Sequence, residues 1–188
     1  MDSYDFLRQF HPIDKANFEL LLKRLKSKTF NKGDFIIVPG QIQRELYFIK
    51  NGVQMSYSEN DGKEQVVAFT YPPNLCAIPE SFSFQTPSKY FLSCLTDSEV
   101  DYITYGELQT LFDESQQLER LFRRMTEALL AGMINRHTEL HSLTIEERFR
   151  NFCKRSPHLL QLVPHKFIAS YLGISPTNFS KLYNKVKI

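Results

Sequence analysis

The chain has 188 residues, enough for one or two small domains, and its hydrophobic content of 42% suffices for ordinary cores. Its net charge of +2 is distributed unevenly, since residues 1–143 hold 15 Lys/Arg and 19 Asp/Glu whereas residues 144–188 hold eight and two. No segment approaches the ~20 consecutive apolar residues of a membrane span, and the acidic first residues are unlike a signal peptide. We therefore expect a cytoplasmic protein without a membrane partner, in which an acidic body carries a basic C-terminal piece.

The first two-thirds of the sequence predict one helix followed by a β-rich domain. Apolar residues recur at helical spacing behind Asp14, a predicted N-cap, as far as Leu25. From residue 28 to residue 104, short runs rich in β-branched and aromatic residues alternate with turn signals. Asn51 and Gly52 are typical of a hairpin turn. The runs cover residues 35–38, 46–49, 53–58, 65–71, 91–95 and 100–104, and this spacing predicts seven or eight strands in a β-sandwich or jelly roll.

Helical periodicity returns at Tyr105, with a short helix to Phe112 and a longer one from about Asp113 towards Leu140. An apolar stripe along the longer helix repeats at intervals close to the 3.5-residue period of a coiled-coil seam. We therefore predict a parallel homodimer through this stripe, while the alternative is a helix packed only on its own β-domain. The predicted dimer contacts are Leu118, Phe122, Met125, Leu129 and Met133, and the off-seam residues Leu121 and Leu130 are expected to pack on their own chain.

The basic C-terminal piece begins with a capping box at Thr144 to Glu147, which predicts another helix. The predicted buried face of this helix consists of Ile145, Phe149, Phe152 and Cys153, and its predicted solvent-exposed face of Arg148, Arg150, Lys154 and Arg155.

Residues 165–184 carry the pattern of two short helices joined by a tight turn. Gly173 stands where the first helix must end with positive φ, and Ala169 is small where the second helix crosses the first. Ser175 is the predicted cap of the second helix, with Pro176 at its first position. This pattern resembles the helix-turn-helix DNA-binding motif, and the alternative is an ordinary helical hairpin.

The predicted order of β-domain, long helix and helix-turn-helix resembles the Crp/Fnr family of bacterial transcription regulators. The motifs that carry the resemblance are Lys32–Asp34, Gly40, Leu46–Gly52, Gly62, Phe69, Asp97–Val100 and Ile168–Ile174. The resemblance implies an α+β chain with three parts: a cyclic-nucleotide-binding-like sensor at residues 1–112, a dimerisation helix at 113–143 and a DNA-binding domain at 144–188. It also implies double-stranded DNA, RNA polymerase and a small-molecule effector as partners.

The family's β-hairpin wing does not follow the motif before Ile188, where the printed sequence ends. We therefore expect DNA affinity to depend more than usual on dimerisation and on Lys181, Lys185 and Lys187.

The effector site implied by the resemblance lies at residues 78–90. In the family's cyclic-AMP binders a Gly-Glu pair opens a short phosphate-binding helix, and an Arg followed by Ser or Thr holds the cyclic phosphate. Here Glu80 is retained but Pro79 replaces the Gly, and Ser88 and Lys89 stand at the Arg and Ser/Thr positions. A hydroxyl cannot replace a bidentate guanidinium, so we expect another ligand or a filled pocket.

The candidate pocket residues are Glu80, Ser81, Phe82, Ser88, Lys89 and Tyr90. A filled pocket would be closed by the aromatic side chains of Phe82, Phe84, Tyr90 and Phe91.

On the predicted recognition helix, Thr177, Ser180 and Lys181 are the candidate base contacts, because Lys donates to guanine and Ser or Thr to several bases. Asn178 and Asn184 are further candidates. The remaining positions are Lys166, Lys185 and Lys187, which we expect at phosphates, and Tyr183, which is either core or a phosphate contact.

Neither a catalytic site nor a metal or cofactor site is predicted. None of the five histidines lies in the strand region, which excludes a cupin-type metal enzyme with His ligands on its strands. His137 and His141 are four residues apart on one helix face but lack the Glu of an H-E-x-x-H motif, so we interpret them as a solvated or interfacial pair.

The three scattered cysteines, Cys76, Cys94 and Cys153, predict buried reduced thiols and no iron–sulfur site. The sequence thus predicts a regulator without enzymatic activity. The alternatives are a ligand- or protein-binding signalling module that does not bind DNA, and a DNA-binding protein that needs no ligand.

Overall fold

The computed structural model describes residues 3–185. Helices α1 (Ser3–Arg8) and α2 (Lys15–Leu22) precede the strands β1 (Lys26–Phe30), β2 (Phe35–Ile37), β3 (Glu45–Asn51), β4 (Gln54–Asn60), β5 (Lys63–Thr70), β6 (Leu75–Cys76), β7 (Phe91–Cys94) and β8 (Ser98–Thr104). Helix α3 (Pro79–Phe84) lies between β6 and β7, and the chain continues through α4 (Tyr105–Glu114), α5 (Gln116–Ser142), α6 (Ile145–Arg155), α7 (Leu159–Leu162), α8 (His165–Leu172) and α9 (Pro176–Lys185). Over this described range, none of the helices is both long and apolar enough to cross a membrane.

The strands form two antiparallel four-stranded sheets, in the orders β1-β8-β3-β6 and β2-β7-β4-β5. Buried side chains from both sheets meet in one cluster, to which Ile37 and Leu92 contribute from one sheet and Tyr47 and Val100 from the other. This arrangement confirms the predicted jelly-roll-like domain and the α+β class.

The link between β3 and β4 differs from the predicted hairpin at Asn51 and Gly52, because these strands belong to different sheets. Gly52 has φ of 97°, and a Cβ added there would lie 2.3 Å from Ser98 Oγ. The glycine is therefore required where the chain crosses between sheets against β8. The two-residue hairpin lies instead between β4 and β5, at Asp61 and Gly62, both with positive φ.

The sequence reasoning missed α1, β1 and β6. Strand β1 is rich in lysine and mostly exposed, so it carries no apolar alternation, and β6 has only two residues. Both strands are defined by backbone pairing with β8 and β3, which only the tertiary structure supplies.

Helix α5 begins at Gln116 and not near Asp113, because Asp113 belongs to α4 and Ser115 caps the new helix by accepting from Leu118 N. Its N-terminal part is buried in its own chain, where Leu118 and Leu121 are 0% exposed and Phe122 is 9% exposed. Leu118 and Phe122 were predicted at a dimer seam, and that prediction is wrong for this structure since they face the chain's own core. Met125 is half-buried against the same cluster.

The C-terminal part of α5 has the opposite environment. Leu129 and Met133 are half exposed, as a seam would require, and Leu130, which was predicted to pack on its own chain, is 61% exposed.

Helices α6 to α9 share a second core around Phe149, Phe152, Ile168 and Phe179. Two predictions for α6 are wrong. Ile145 is 38% exposed. Arg148 does not lie on a solvent-exposed face. Its guanidinium donates to the carbonyls of Leu140 and Leu143 and thereby caps the C-terminus of α5.

Candidate functional site

Helices α8 and α9 meet at the turn that the sequence predicts. Gly173 has φ of 66°, and Ser175 Oγ accepts a hydrogen bond of 3.2 Å from Asn178 N at the start of α9. Phe179 is fully buried, with its ring 5.5 Å from that of Phe149 and 4.8 Å from that of His165. One face of α9 is therefore anchored in the core, and the opposite face points to solvent.

That outer face holds the candidate base contacts, namely Thr177, Asn178, Ser180, Lys181 and Asn184, and all five are exposed. Within residues 3–185, no hydrogen bond or ion pair engages the side chains of Thr177, Lys181 or Asn184, whereas Ser180 Oγ donates to Pro176 O at 3.1 Å. Thr177, Lys181 and Asn184 are spaced four and three residues apart, so they follow one another along a single face. The face offers hydrogen-bonding groups with no partner in the described chain.

The predicted phosphate contacts are tied to acidic residues. Lys166 Nζ lies 3.4 Å from Glu64, and Lys185 Nζ lies 3.3 Å from Glu146. Both lysine side chains are more than half exposed, so water and salt screen each pair, and it can be exchanged for a phosphate at small cost. Lys187 lies outside the described residues.

Tyr183 is 39% exposed and packs its ring 4.6 Å from that of His165. It is thus a partly buried neighbour of the anchored face.

Helix α8 lies directly against β5, an edge strand of the sensor domain. Ser170 Oγ accepts from Val66 N at 3.0 Å and donates to Glu64 O at 2.8 Å, so one side chain satisfies two backbone groups of the sheet edge. The Lys166–Glu64 ion pair reinforces the same contact. Helix α8 is therefore docked on the β-domain through hydrogen bonds to the backbone of β5.

A second connection joins α5 to α8 through Arg136 and Tyr171. Arg136 Nη2 donates to Tyr171 O at 2.6 Å, and its guanidinium carbon lies 3.4 Å from the centre of the Tyr171 ring. Burial lowers the pKa of Arg136, and the contacts with Tyr171 oppose that shift. The same ring packs on Phe69 of β5 at 5.3 Å and on Phe152 of α6 at 5.7 Å.

This contact links the long helix, the β-domain and the C-terminal helices α6 and α8, and the sequence reasoning missed it. The available signal was the charged residue Arg136, which lies in the sequence between Met133 and Leu140, two members of a mostly apolar stripe.

In the segment that corresponds to the family's effector site, the side chains of Ser81 and Ser88 are buried and hydrogen-bonded. Ser81 Oγ accepts from Gln43 N at 3.0 Å and donates to Thr86 O at 2.7 Å. Ser88 is 3% exposed, and its Oγ donates to Tyr90 O at 2.8 Å and accepts from Tyr90 N at 3.0 Å. The Ser88 hydroxyl, at the position of the family's phosphate-holding Arg, is therefore already bonded to the backbone of Tyr90.

The two charged residues of the segment, Glu80 and Lys89, differ from Ser81 and Ser88 in being accessible to solvent. Glu80 is partly exposed and Lys89 exposed, and neither side chain makes a hydrogen bond or ion pair within the described part of the chain. The structure thus leaves one carboxylate and one ammonium group available beside Ser81 and Ser88, whose hydroxyl groups are already hydrogen-bonded.

The four aromatic residues predicted to fill one pocket are separated. Phe82 packs with Tyr105 at 5.6 Å in the helical cluster, and Tyr90 lies in the cluster between the sheets. Phe84 is 76% exposed, and Phe91 stacks on Tyr57 at 4.8 Å in the cluster under α8. That prediction is wrong because only Tyr90 contributes to the space between the sheets.

An open cleft of about 540 Å³ lies between β1, β3 and the segment at residues 36–45. Lys28 and Glu45 form an ion pair of 3.4 Å in its wall, and Tyr47 OH donates to the same carboxylate. Glu80, Ser88 and Lys89 do not line it. The cleft nevertheless adjoins the segment that the family resemblance indicates, because Gln43 in its wall donates its backbone N–H to Ser81 Oγ.

Comparison with known proteins shows what the β-domain resembles. Residues 27–115 match the family model of the cyclic nucleotide-binding domain. One cyclic nucleotide-gated cation channel protein of Drosophila melanogaster is 34% identical over 62 residues, which are 33% of this chain and 9% of that protein. The chain therefore spans only a small part of that relative's length.

Solved structures match over most of the chain. FixK2 from Bradyrhizobium japonicum has a TM-score of 0.75 at 18% identity, covering 86% of this chain and 83% of that one. The c-di-GMP responsive global regulator CLP from Xanthomonas campestris has a TM-score of 0.64 at 19% identity, covering 92% of this chain and 91% of that one. Residues 27–115 therefore resemble the cyclic nucleotide-binding domain, and the chain shares the overall fold of FixK2 and CLP.

Proposed function

We propose that this protein is a DNA-binding transcriptional regulator of the Crp/Fnr type, acting as a homodimer on a roughly palindromic site. The observation that carries the proposal is the face of α9 at Thr177, Lys181 and Asn184, which is exposed and has no partner in residues 3–185. The anchoring of Phe179 holds this face rigidly, as base recognition requires. The similarity to CLP, described as a global regulator, supports the same assignment.

The C-terminal half of α5 supports the homodimer. Leu129, Leu130, Met133 and Ile134 are 50%, 61%, 49% and 57% exposed, so a contiguous apolar face is not covered by the described chain. In a heptad with Leu130 at a and Met133 at d, Leu129 falls at g and Ile134 at e. In a parallel pair of helices, a g residue lies beside the e residue five positions later on the other chain. All four side chains would then be buried by a second copy, which supports that copy as the occupant of this face.

A two-fold dimer supplies the geometry for reading DNA. The two copies of α9 would enter successive major grooves about 34 Å apart. Lys181 would donate to guanine O6 and N7, and Thr177 and Ser180 would contact neighbouring base edges, with Asn178 and Asn184 at the margins. Lys166 and Lys185 would exchange their surface ion pairs for phosphates.

Coupling between sensor and DNA would pass through the contacts of α8. Lys166 would belong to both contacts: it is proposed to bind a DNA phosphate, and in this structure it is paired with Glu64 of β5. A change in the sensor that moves β5 or α5 would shift α8 through Ser170 and through Arg136 and Tyr171.

The effector in this proposal is not cyclic AMP. Ser88 replaces the phosphate-holding Arg of the family pattern, and its hydroxyl is bonded to Tyr90. A different small molecule would find the unpaired charges of Glu80 and Lys89 and the cleft beside Lys28. The alternative within this proposal is regulation without a ligand. RNA polymerase is a partner suggested by the family resemblance alone.

Selection from random duplex DNA tests the proposal. We expect enrichment of a palindromic sequence, with an affinity that falls steeply as salt increases because phosphate contacts release counterions. Absence of any enriched sequence together with salt-insensitive binding would contradict the proposal and favour a signalling module without DNA binding. In thermal-shift measurements on the same protein, we expect cyclic AMP to leave the melting temperature unchanged.

A further inference from the structure

Two histidines continue the exposed face of α5 towards the DNA-binding domain. The rings of His137 and His141 are exposed, and their centroids lie 4.3 Å apart. His141 Nδ1 lies 2.8 Å from His137 O. When Nδ1–H donates to this carbonyl, Nε2 of His141 carries the free lone pair and points away from the helix. A metal-binding histidine is typically held in this way, with its other ring nitrogen bonded to a carbonyl or carboxylate.

The heptad that places Leu130 at a and Met133 at d places His137 at the next a position and His141 at the following e position. A side chain at a faces its own copy across the axis of a parallel dimer. The two His137 rings would therefore meet at the axis, with each His141 one turn further along the same helix. The dimer would bring four imidazoles together where one chain presents two.

The number of ligands decides between a site within one chain and a shared site. Residues 3–185 contain no group of three or more His, Cys, Asp or Glu side chains that could hold a metal. The nearby acid Glu139 is engaged by Arg155 at 3.6 Å. One chain thus offers two imidazoles, whereas a tetrahedral site needs four ligands, and two chains supply them. Imidazole nitrogen suits zinc, copper and nickel ions.

We propose that His137 and His141 of two copies bind one divalent transition-metal ion across the dimer axis. This inference rests on the homodimer proposed above. The site lies on α5 just before α6 begins at Ile145. The metal would therefore join the two long helices close to the DNA-binding domains and fix the separation of the recognition helices. Without metal, a histidine at a weakens an otherwise apolar seam.

Sedimentation equilibrium of the full chain tests the shared site, using protein stripped with a chelator and then supplied with Zn²⁺. We expect zinc to lower the dimer dissociation constant at least tenfold, and titration calorimetry to give one zinc ion per two chains. The substitutions His137→Asn and His141→Asn should each abolish the zinc effect. The matched control His11→Asn, which removes a histidine outside α5, should retain it.

The outcomes separate this inference from the proposed dimer. Binding of one zinc ion per chain without a change in dimerisation would overturn the shared site. A metal-free dimer that is indifferent to zinc would also overturn it, while leaving the proposed regulator intact. A chain that stays monomeric with and without zinc, and that selects no DNA sequence, would contradict the proposed function and the metal site together.

Discussion

The two halves of α5 have similar apolar spacing but opposite environments. Leu118 and Leu121 in the first half are 0% exposed in the chain's own core, whereas Leu130 and Ile134 in the second half are 61% and 57% exposed. A straight α-helix drifts by about 20° per heptad relative to a 3.5-residue repeat, so the apolar face turns along the helix. The first half therefore serves the fold of one chain, and the second half is the part that the proposed dimer would bury.

In the exposed half, substitutions are expected to weaken the proposed dimer strongly. The double substitution Leu130→Glu with Met133→Glu would place four carboxylates in the seam of a dimer. We expect the dimer dissociation constant to rise at least 100-fold, or about 2.7 kcal/mol, while the chain keeps its fold because both side chains are exposed in one copy. Sedimentation velocity measures the first effect and circular dichroism the second. An unchanged dimer would show that the seam lies elsewhere.

The buried half should respond in the opposite way. Leu121→Ala leaves a cavity beneath α4 and the sensor, and we expect the free energy of unfolding to fall by about 2–5 kcal/mol. Urea denaturation at a fixed protein concentration measures this loss. In native buffer the variant should dimerise like the unmodified chain, and loss of the dimer in a folded variant would contradict the division of α5 into two halves.

On the recognition helix, Lys181→Ala removes a charged donor that has no partner in the described chain. We expect a loss of about 1–3 kcal/mol in affinity for the selected DNA, together with relaxed preference at one base position. Fluorescence anisotropy against single-base variants of the site measures both. The exposed Lys15 of α2 provides a matched control, because Lys15→Ala removes the same charge from the sensor side. A uniform loss across all sequences would reassign Lys181 to a phosphate.

A local effect is expected at the docking contact of α8. Ser170→Ala leaves Val66 N–H and Glu64 O without the side chain that bonds both, at a cost of about 1–3 kcal/mol. Hydrogen exchange at the Val66 amide should become faster. Ser142→Ala, which removes a hydroxyl bonded within α5, serves as the control and should leave that amide unchanged. Equal protection in both variants would mean that the docking does not depend on Ser170.

Local chemistry made much of this fold predictable from the sequence. The Thr144 capping box, the Ser175 cap and the positive φ of Gly173 depend on neighbours within a few residues, and all three are found. Strand β1 could not be predicted, because its stability comes from pairing with β8, about seventy residues later. The hairpin assigned to Asn51 and Gly52 failed for a similar reason, since the glycine is fixed by contact with Ser98.

The candidate site was predictable only where exposure follows from helical periodicity. The outer face of α9 could be inferred because the buried Phe179 fixes the helix rotation. The inward hydrogen bonds of Ser81 and Ser88 could not, because their partners lie in loops whose course no periodic pattern gives. Nor could the Arg136–Tyr171 contact, which joins residues from two helices far apart in the sequence.

The spacing of half-sites tests the central claim, a two-fold dimer reading DNA with α9, most directly. Once a palindromic site has been selected, five base pairs inserted at its centre rotate one half-site to the opposite side of the duplex. We predict that this insertion lowers the affinity at least 100-fold, to that of an isolated half-site, because two recognition helices held by α5 need half-sites about one helical turn apart. Unchanged affinity after the insertion would contradict the account.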